Sequence, residues 1–257
     1  MADLQNVAEQ GRGAREDERS ALVGRILTFI AQRGFAPGER LPSERDLAER
    51  FGFGRNALRE ALAVLETVRV IERRPNSGIF LRAVARHGSL DALVLSADLG
   101  VPLTAAEVEE VVELRRLMEV QGTALACERR GEDDLARIAE ALAGGERCIE
   151  AGGNFAEPDA EFHLAVAEAT GNRVFLRVVN SFYLISRTRR RHYFADGSRA
   201  ALSQAQHRAM GEAIAARDAA RAAELMRGHL RGVESYWREL LERRPARAET
   251  STGGMPA

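Results

Sequence analysis

Four side chains in the second half of the chain have the types and spacing to bind a divalent cation. Asp159 and His163 are four residues apart, so on a helix they share one face. His207 and His229 fall in two later segments of helical period, so three of the chain's five histidines belong to this set. Their neighbours give their direction. His163 is followed by Val166 and Ala167 at helical spacing, His207 shares a face with Met210 and Ile214, and His229 sits among Leu225, Met226 and Val233. All three imidazoles are expected to face inward. Burying three imidazoles and a carboxylate together is costly unless something pairs them. One Zn, Ni or Mn ion does so, with neutral histidine nitrogens and a carboxylate oxygen as ligands. Any one of these histidines alone reads equally well as a hydrogen-bonded core residue. The same donor set with an open position also describes a hydrolytic centre, although no additional general base stands at a telling spacing.

A second set, near the front of the chain, suits nucleic acid. Leu58, Ala61, Leu62 and Leu65 fix the buried face of one helix, which puts Arg55, Asn56 and Arg59 on its opposite face near the N-terminus. A recognition helix enters the major groove with that end first. There Arg can fork onto guanine and Asn can pair with adenine or a phosphate. Arg45, on the preceding helix, is expected beside this surface. Arg73, Arg74 and a turn at Asn76-Ser77-Gly78 form a short basic wing suited to backbone or minor-groove contact. Arg40, Arg50 and Arg69 read as a solvated charged face.

The elements that must position these residues follow from punctuation and period. An apolar stripe at Leu22, Ile26, Phe29 and Ile30 predicts a first helix, ended by Gly34 and the Pro37-Gly38 turn. Ser43 with Asp46 caps a short second helix, Phe51-Gly52-Phe53-Gly54 turns the chain, and the third helix follows. Val70 and Ile71 open a strand, Pro75-Asn76-Ser77-Gly78 is a hairpin turn, and Ile79-Phe80-Leu81 returns. Thr104 with Glu107 forms a capping box. From there to Arg244 about six helices are expected and no strands, with breaks at Gly131, Gly144-Gly145, Gly152-Gly153, Gly171 and Gly197. The expected organisation is a flexible tail over 1–16, a winged helix-turn-helix over 17–84, a connector over 85–103, an all-α helical-bundle domain over 104–243, and a second flexible tail over 244–257. The fold class is mainly α.

Bulk properties agree. The net charge of −1 does not mark a nucleic-acid binder, but Arg15 to Arg86 carries four more basic than acidic residues, which makes the remainder acidic. The chain has no lysine, so every basic contact falls to arginine, the better fork for phosphate or guanine. No run of eighteen apolar residues exists, so no membrane partner is expected. Cys127 and Cys148 are far apart and read as reduced residues of a cytoplasmic protein.

The segment PGERLPSERDLAERFGFGRNALREALAVLETVRVIERRPNSGIFL resembles the signature of GntR-family transcription regulators, over about Ile26 to Leu81. That resemblance implies operator DNA as partner, with Arg45, Arg55 and Arg59 as contacts and Gly78 at the wing tip. Gly54 departs from the Ser common in the family, and Asn56-Ala57 from Thr-Pro. The segments ELRRLMEVQGTALA, DAEFHLAVAEATGN and HRAMGEAIAARDAARAAELMRGHL resemble the FCD effector domain of the FadR branch, over about Thr104 to Leu230. This implies Asp159, His163, His207 and His229 as metal ligands, as in the members that sense small organic acids. It also implies that Arg115 faces the cavity as a fork for an effector carboxylate, with Arg116 as the alternative inward residue. Asn180, Tyr183 and Arg187 are expected to line the same cavity, while Arg187 to Arg191 otherwise forms a solvated or interface face. The implied protein is a homodimeric repressor, not an enzyme, whose operator affinity responds to a small carboxylate. A repressor with a purely structural metal is the other regulator reading.

Overall fold

The computed structural model describes residues 2–242, with the side chains of 2–15 and 239–242 left aside. The expected C-terminal tail lies outside the described residues. The chain divides into two compact units, one of the residues up to Leu103 together with Tyr183–Thr188, the other of Thr104–Phe182 together with the residues from Arg189 onward.

The first unit opens with α1 (Ala2–Arg33). The helix begins at Ala2, inside the stretch expected as a tail. Nothing between Ala2 and Arg33 is proline, and isolated glycines cost a helix only about 1 kcal/mol each. Leu22, Val23, Ile26 and Leu27 bury its inner face. Gly34, at a φ of +63°, ends it. α2 (Glu44–Phe51) begins at Ser43, whose hydroxyl accepts from the Asp46 amide while Asp46 reaches back, and stops at Gly52 in the left-handed region. α3 (Arg55–Thr67) lacks a side-chain cap because Gly54 stands at its N-cap, and it buries Leu58, Ala61, Leu62 and Leu65.

The strands β1 (Ile71–Arg74) and β2 (Gly78–Leu81) pair antiparallel, with Ile71 opposite Leu81 and Arg74 opposite Gly78. A third extended segment joins them. Arg40 bridges to Phe80, the Leu41 amide donates to the Ile79 carbonyl at 2.9 Å, and the Leu81 amide donates to Glu39 at 2.9 Å. The expected connector is mostly helical: α4 (Val84–His87) and α5 (Leu90–Asp98). Its apolar residues explain the difference. Ala92 is buried in the same core as α1 and α3, with Leu95, Leu99 and Val101 packed against it.

The second unit has six helices among the described residues: α6 (Ala105–Arg129), α7 (Glu132–Glu150), α8 (Ala156–Glu168), α9 (Arg173–Tyr193), α10 (Gly197–Ala215) and α11 (Ala219–Glu242). Thr104 and Glu107 form the capping box of α6. Gly144-Gly145 does not break α7. A Cβ on Gly145 would stand 2.5 Å from Gln204 Oε1 and 3.0 Å from the Phe155 ring, so this glycine permits close packing. Val120, Ile138, Phe162, Met210, Ile214 and Met226 form the main core, with a smaller cluster around Phe155, Phe194 and Trp237.

Candidate metal centre and nucleic-acid interface

α8 carries Asp159 and His163 one turn apart on its buried face, α10 brings His207 and α11 brings His229. One potential ligand atom from each of the four lies within 4.8 Å of all the others, and all four residues are buried. Nε2 of His163 is 3.2 Å from Nε2 of His229. Oδ1 of Asp159 is 3.8 Å from His163 Nε2 and 3.6 Å from His207 Nε2. Ligand atoms on opposite sides of an ion, each about 2.1 Å away, stand about 4.2 Å apart. The set is therefore close to the spacing that shared ligation of one ion requires.

The surroundings orient the rings. Nδ1 of His163 lies 2.5 Å from the Glu119 carboxylate, and Nδ1 of His229 lies 2.7 Å from Gln206 Oε1. His229 Nδ1–H donates to Gln206 Oε1, so its Nε2 presents a lone pair to the centre, and the Glu119 carboxylate faces Nδ1 of His163 and orients that ring. His207 lies flat on Phe162, at 4.2 Å between ring centroids, and neither of its ring nitrogens has a hydrogen-bond partner among the described residues. Buried polar nitrogens left so cost about 1–3 kcal/mol each, a cost that a coordinated cation removes.

Charge is arranged around the centre in two pairs. Arg115 Nε donates to Glu119 Oε1 at 2.6 Å, and both are buried. Burial would raise the Glu119 carboxyl, but the Arg115 guanidinium and then His163 outweigh it and hold the group well below the usual carboxylate range. Arg190 Nη1 donates to the Ala156 carbonyl and stands 3.8 Å from Asp159 Oδ2. Burial first, and then neighbouring His163 and Arg115, push His229 well below its usual value. His207 is lowered the same way, chiefly by burial and then by the neighbouring His229, His163 and Arg115. Both rings are neutral at pH 7, as metal ligation requires.

Of the residues expected at the effector cavity, Arg115 is the inward arginine, while Arg116 pairs with Glu234 at 3.1 Å. Arg115 is engaged by Glu119 one shell behind His163. Asn180 does not face the cluster. It lines an open groove of 770 Å³ with Glu157, Glu161 and Leu164 on the far side of α8. A helix has one face per direction, and the Asp159–His163 face is the other one. Tyr183 is buried on α9, and Arg187 is exposed. A cavity of 10 Å³, about one water, lies beside His163 and is bounded by Glu119, Gly122, Phe175 and Met226, but not by Asp159, His207 or His229. Arg190 is buried at 4% exposure, contrary to the solvated face expected for Arg187 to Arg191. The run of basic residues hides that Arg190 turns inward and that Arg189 buries one guanidinium nitrogen. Glu119 was legible as the i+4 partner of Arg115, whereas no local spacing marks Gln206 or Arg190.

In the first unit Arg55, Asn56 and Arg59 are exposed along the N-terminal turn of α3, and Arg45 is exposed on α2. Arg59 Nε donates to Glu44 at 2.9 Å, an exposed pair of little strength. Arg55 has no acidic partner among the described residues. Arg73, expected at the DNA backbone, instead forks onto Glu66 of α3 at 2.8 and 2.6 Å. Arg74 stacks on Phe80, 4.1 Å from the ring, and pairs with Glu72. Gly78 sits at the wing tip with a φ of +114°.

A winged helix-turn-helix with an exposed, arginine-bearing third helix, followed by an all-helical domain, defines a DNA-binding regulator of transcription. The chain belongs to the GntR family of bacterial regulatory proteins, whose model matches residues 19–81, and it carries an FCD domain over residues 110–232. The chain is 32% identical to the HTH-type transcriptional regulator LutR of Bacillus subtilis (strain 168), over 77% of this chain and 91% of that protein. It is 30% identical to the HTH-type transcriptional repressor NanR of Cronobacter sakazakii, over 91% of this chain and 90% of that protein. An Escherichia coli (strain K12) relative named for the L-lactate dehydrogenase operon is 30% identical over 83% of this chain and 84% of its own length. Among solved structures, Lar, which controls the agr system of Listeria monocytogenes, shares the fold with a TM-score of 0.62 at 18% identity, over 86% of this chain and 97% of that one. These relatives are regulators and not enzymes. No described helix is long and apolar enough to cross a membrane.

Proposed function

We propose that this regulator is a homodimeric repressor that binds operator DNA through Arg55, Asn56 and Arg59 of α3 with Arg45 beside them, and that a small carboxylate bound at a divalent metal controls its affinity. The metal is held by Asp159, His163, His207 and His229. The observation that carries the reading is the convergence of three imidazoles and a carboxylate, all buried, with one potential ligand atom from each within 4.8 Å of all the others.

Charge supports an anionic effector. Arg115 balances Glu119 and Arg190 balances Asp159, so the two charges of a divalent ion find no further counterpart among these groups. An open coordination position there favours an anion, and a carboxylate is a hard oxygen donor suited to such ions. The relative named for the L-lactate dehydrogenase operon makes lactate the first acid to try. Effector binding must favour one arrangement of the two DNA-binding modules over another, or no switching results.

The water-sized cavity beside His163 favours a second reading, a structural metal without effector. Phe175 packs directly against Gly122 at that cavity, where a Cβ would meet the ring at 2.5 Å. The test is fluorescence anisotropy of a duplex selected by this protein from a randomised pool. It is run with metal-free protein, with Zn, Ni or Mn added, and with metal plus lactate and other small acids. Acid-dependent release supports the proposal. Metal-dependent melting with no response to any acid supports the structural metal. Indifference to both ends the sensing account while leaving DNA binding intact.

A further inference from the structure

The wing is built from three extended segments, and the third brings a cation to its tip. Ile79 and Leu81 of β2 are buried, so the alternate residues Gly78 and Phe80 face outward. Glu72 stands opposite Phe80 on one side and Arg40 stands opposite it on the other. Residues directly opposite one another share a face, so Arg40, Phe80 and Glu72 form one row on the outer surface of the wing.

The acids of the wing are already engaged. Arg73 is forked onto Glu66, and Arg74 and Arg82 share Glu72. Arg40 is exposed and has no acidic partner among the described residues. Its guanidinium lies over Gly78, where a Cβ would stand 2.8 Å from Arg40 Nε and 3.3 Å from Nη2. Glycine at this position therefore serves two ends. It accepts the φ of +114°, and it leaves the space in which the arginine rests.

We infer that Arg40, held across from Phe80 and against Gly78, is a DNA contact of this regulator, and that its guanidinium meets a backbone phosphate beside the wing tip. A guanidinium forks onto phosphate oxygens in charge-assisted hydrogen bonds. Arg73 and Arg74 must first leave a carboxylate to do the same, whereas Arg40 gives up no ion pair. Arg40 thus takes the backbone-contacting role that the wing's own arginines fill less readily.

The experiment measures the salt dependence of binding to the duplex selected by this protein, for wild type, Arg40→Ala, Arg40→Lys and, as a charge control, Arg33→Ala. Each phosphate contact contributes about 0.9 to the slope of log K against log salt. Arg40→Ala is expected to lower the slope by about that amount per half-site, Arg40→Lys to keep it, and Arg33→Ala to leave it unchanged. An unchanged slope in Arg40→Ala overturns the inference, and so does an equal loss in Arg33→Ala. Because Arg40 is exposed, the thermal midpoint of Arg40→Ala should match wild type. Should it fall, Arg40→Gln keeps the stem against Gly78 and the same slope criterion applies to it.

Discussion

Nε2 of His163 and Nε2 of His229 stand 3.2 Å apart while each ring's Nδ1 is directed to an oxygen, of Glu119 in one case and of Gln206 in the other. Nitrogens so placed can share a proton or both bind a cation set between them. Asp159 Oδ1 and His207 Nε2 complete the same small space. The partners of the ligands thus fix which nitrogens are offered, and the ligands fix where an ion sits.

Glu119 orients His163, so Glu119→Gln should weaken metal affinity about 10–100-fold. It also leaves Arg115 buried without its carboxylate, and breaking one side of a buried pair costs about 3–5 kcal/mol. Competition with a chelating indicator reads the first effect and urea unfolding of the metal-free protein reads the second. Unchanged affinity would show that Glu119 is a structural partner of Arg115 alone.

His207 and His229 titrate well below their usual value of 6.5 in the folded chain, chiefly because they are buried. Below that pH the unfolded chain binds protons that the folded chain refuses. The stability of the metal-free protein is therefore complete above about pH 6.5 and falls as the solution is acidified from there, by up to about 1.4 kcal/mol per pH unit for each ring. Urea unfolding at pH 8, 6.5 and 5.5 checks this. A midpoint that holds constant over that range would mean the rings are charged or exposed.

On α3, Arg55 has no acidic partner among the described residues and Arg59 is tied to Glu44. Arg55→Ala should cost about 1–3 kcal/mol of binding and relax preference at one base position. Glu44→Ala should preserve or strengthen binding, because it frees Arg59. Anisotropy with single-base variants of the selected duplex checks both. Weakened binding in Glu44→Ala would mean that the Glu44–Arg59 pair itself shapes the DNA-reading surface.

Much of this molecule is written locally. Ser43 with Asp46 and Thr104 with Glu107 mark helix starts at the positions found, and the inward direction of His163, His207 and His229 follows from their apolar neighbours. What stays hidden depends on contacts distant in sequence. Gly145 reads as a break until Gln204 of α10 is seen packed on it. Arg190 reads as one of a solvated run until Ala156 and Asp159 are placed beside it. Asn180 shares a helix with inward residues but faces the groove beyond α8. Arg40 reads as surface charge because only the pairing of residues 39–41 with β2 carries it to the wing.

Metal content after exposure to excess Zn, Ni or Mn and gel filtration tests the central claim most directly. The account predicts about one ion per chain for wild type and none for His207→Ala, with a chelator-sensitive thermal midpoint in the first and not the second. At ion concentrations near 100 times the dissociation constant, the bound metal should stabilise wild type by about 2.7 kcal/mol. A wild-type chain that emerges without metal and melts identically with and without chelator would contradict it.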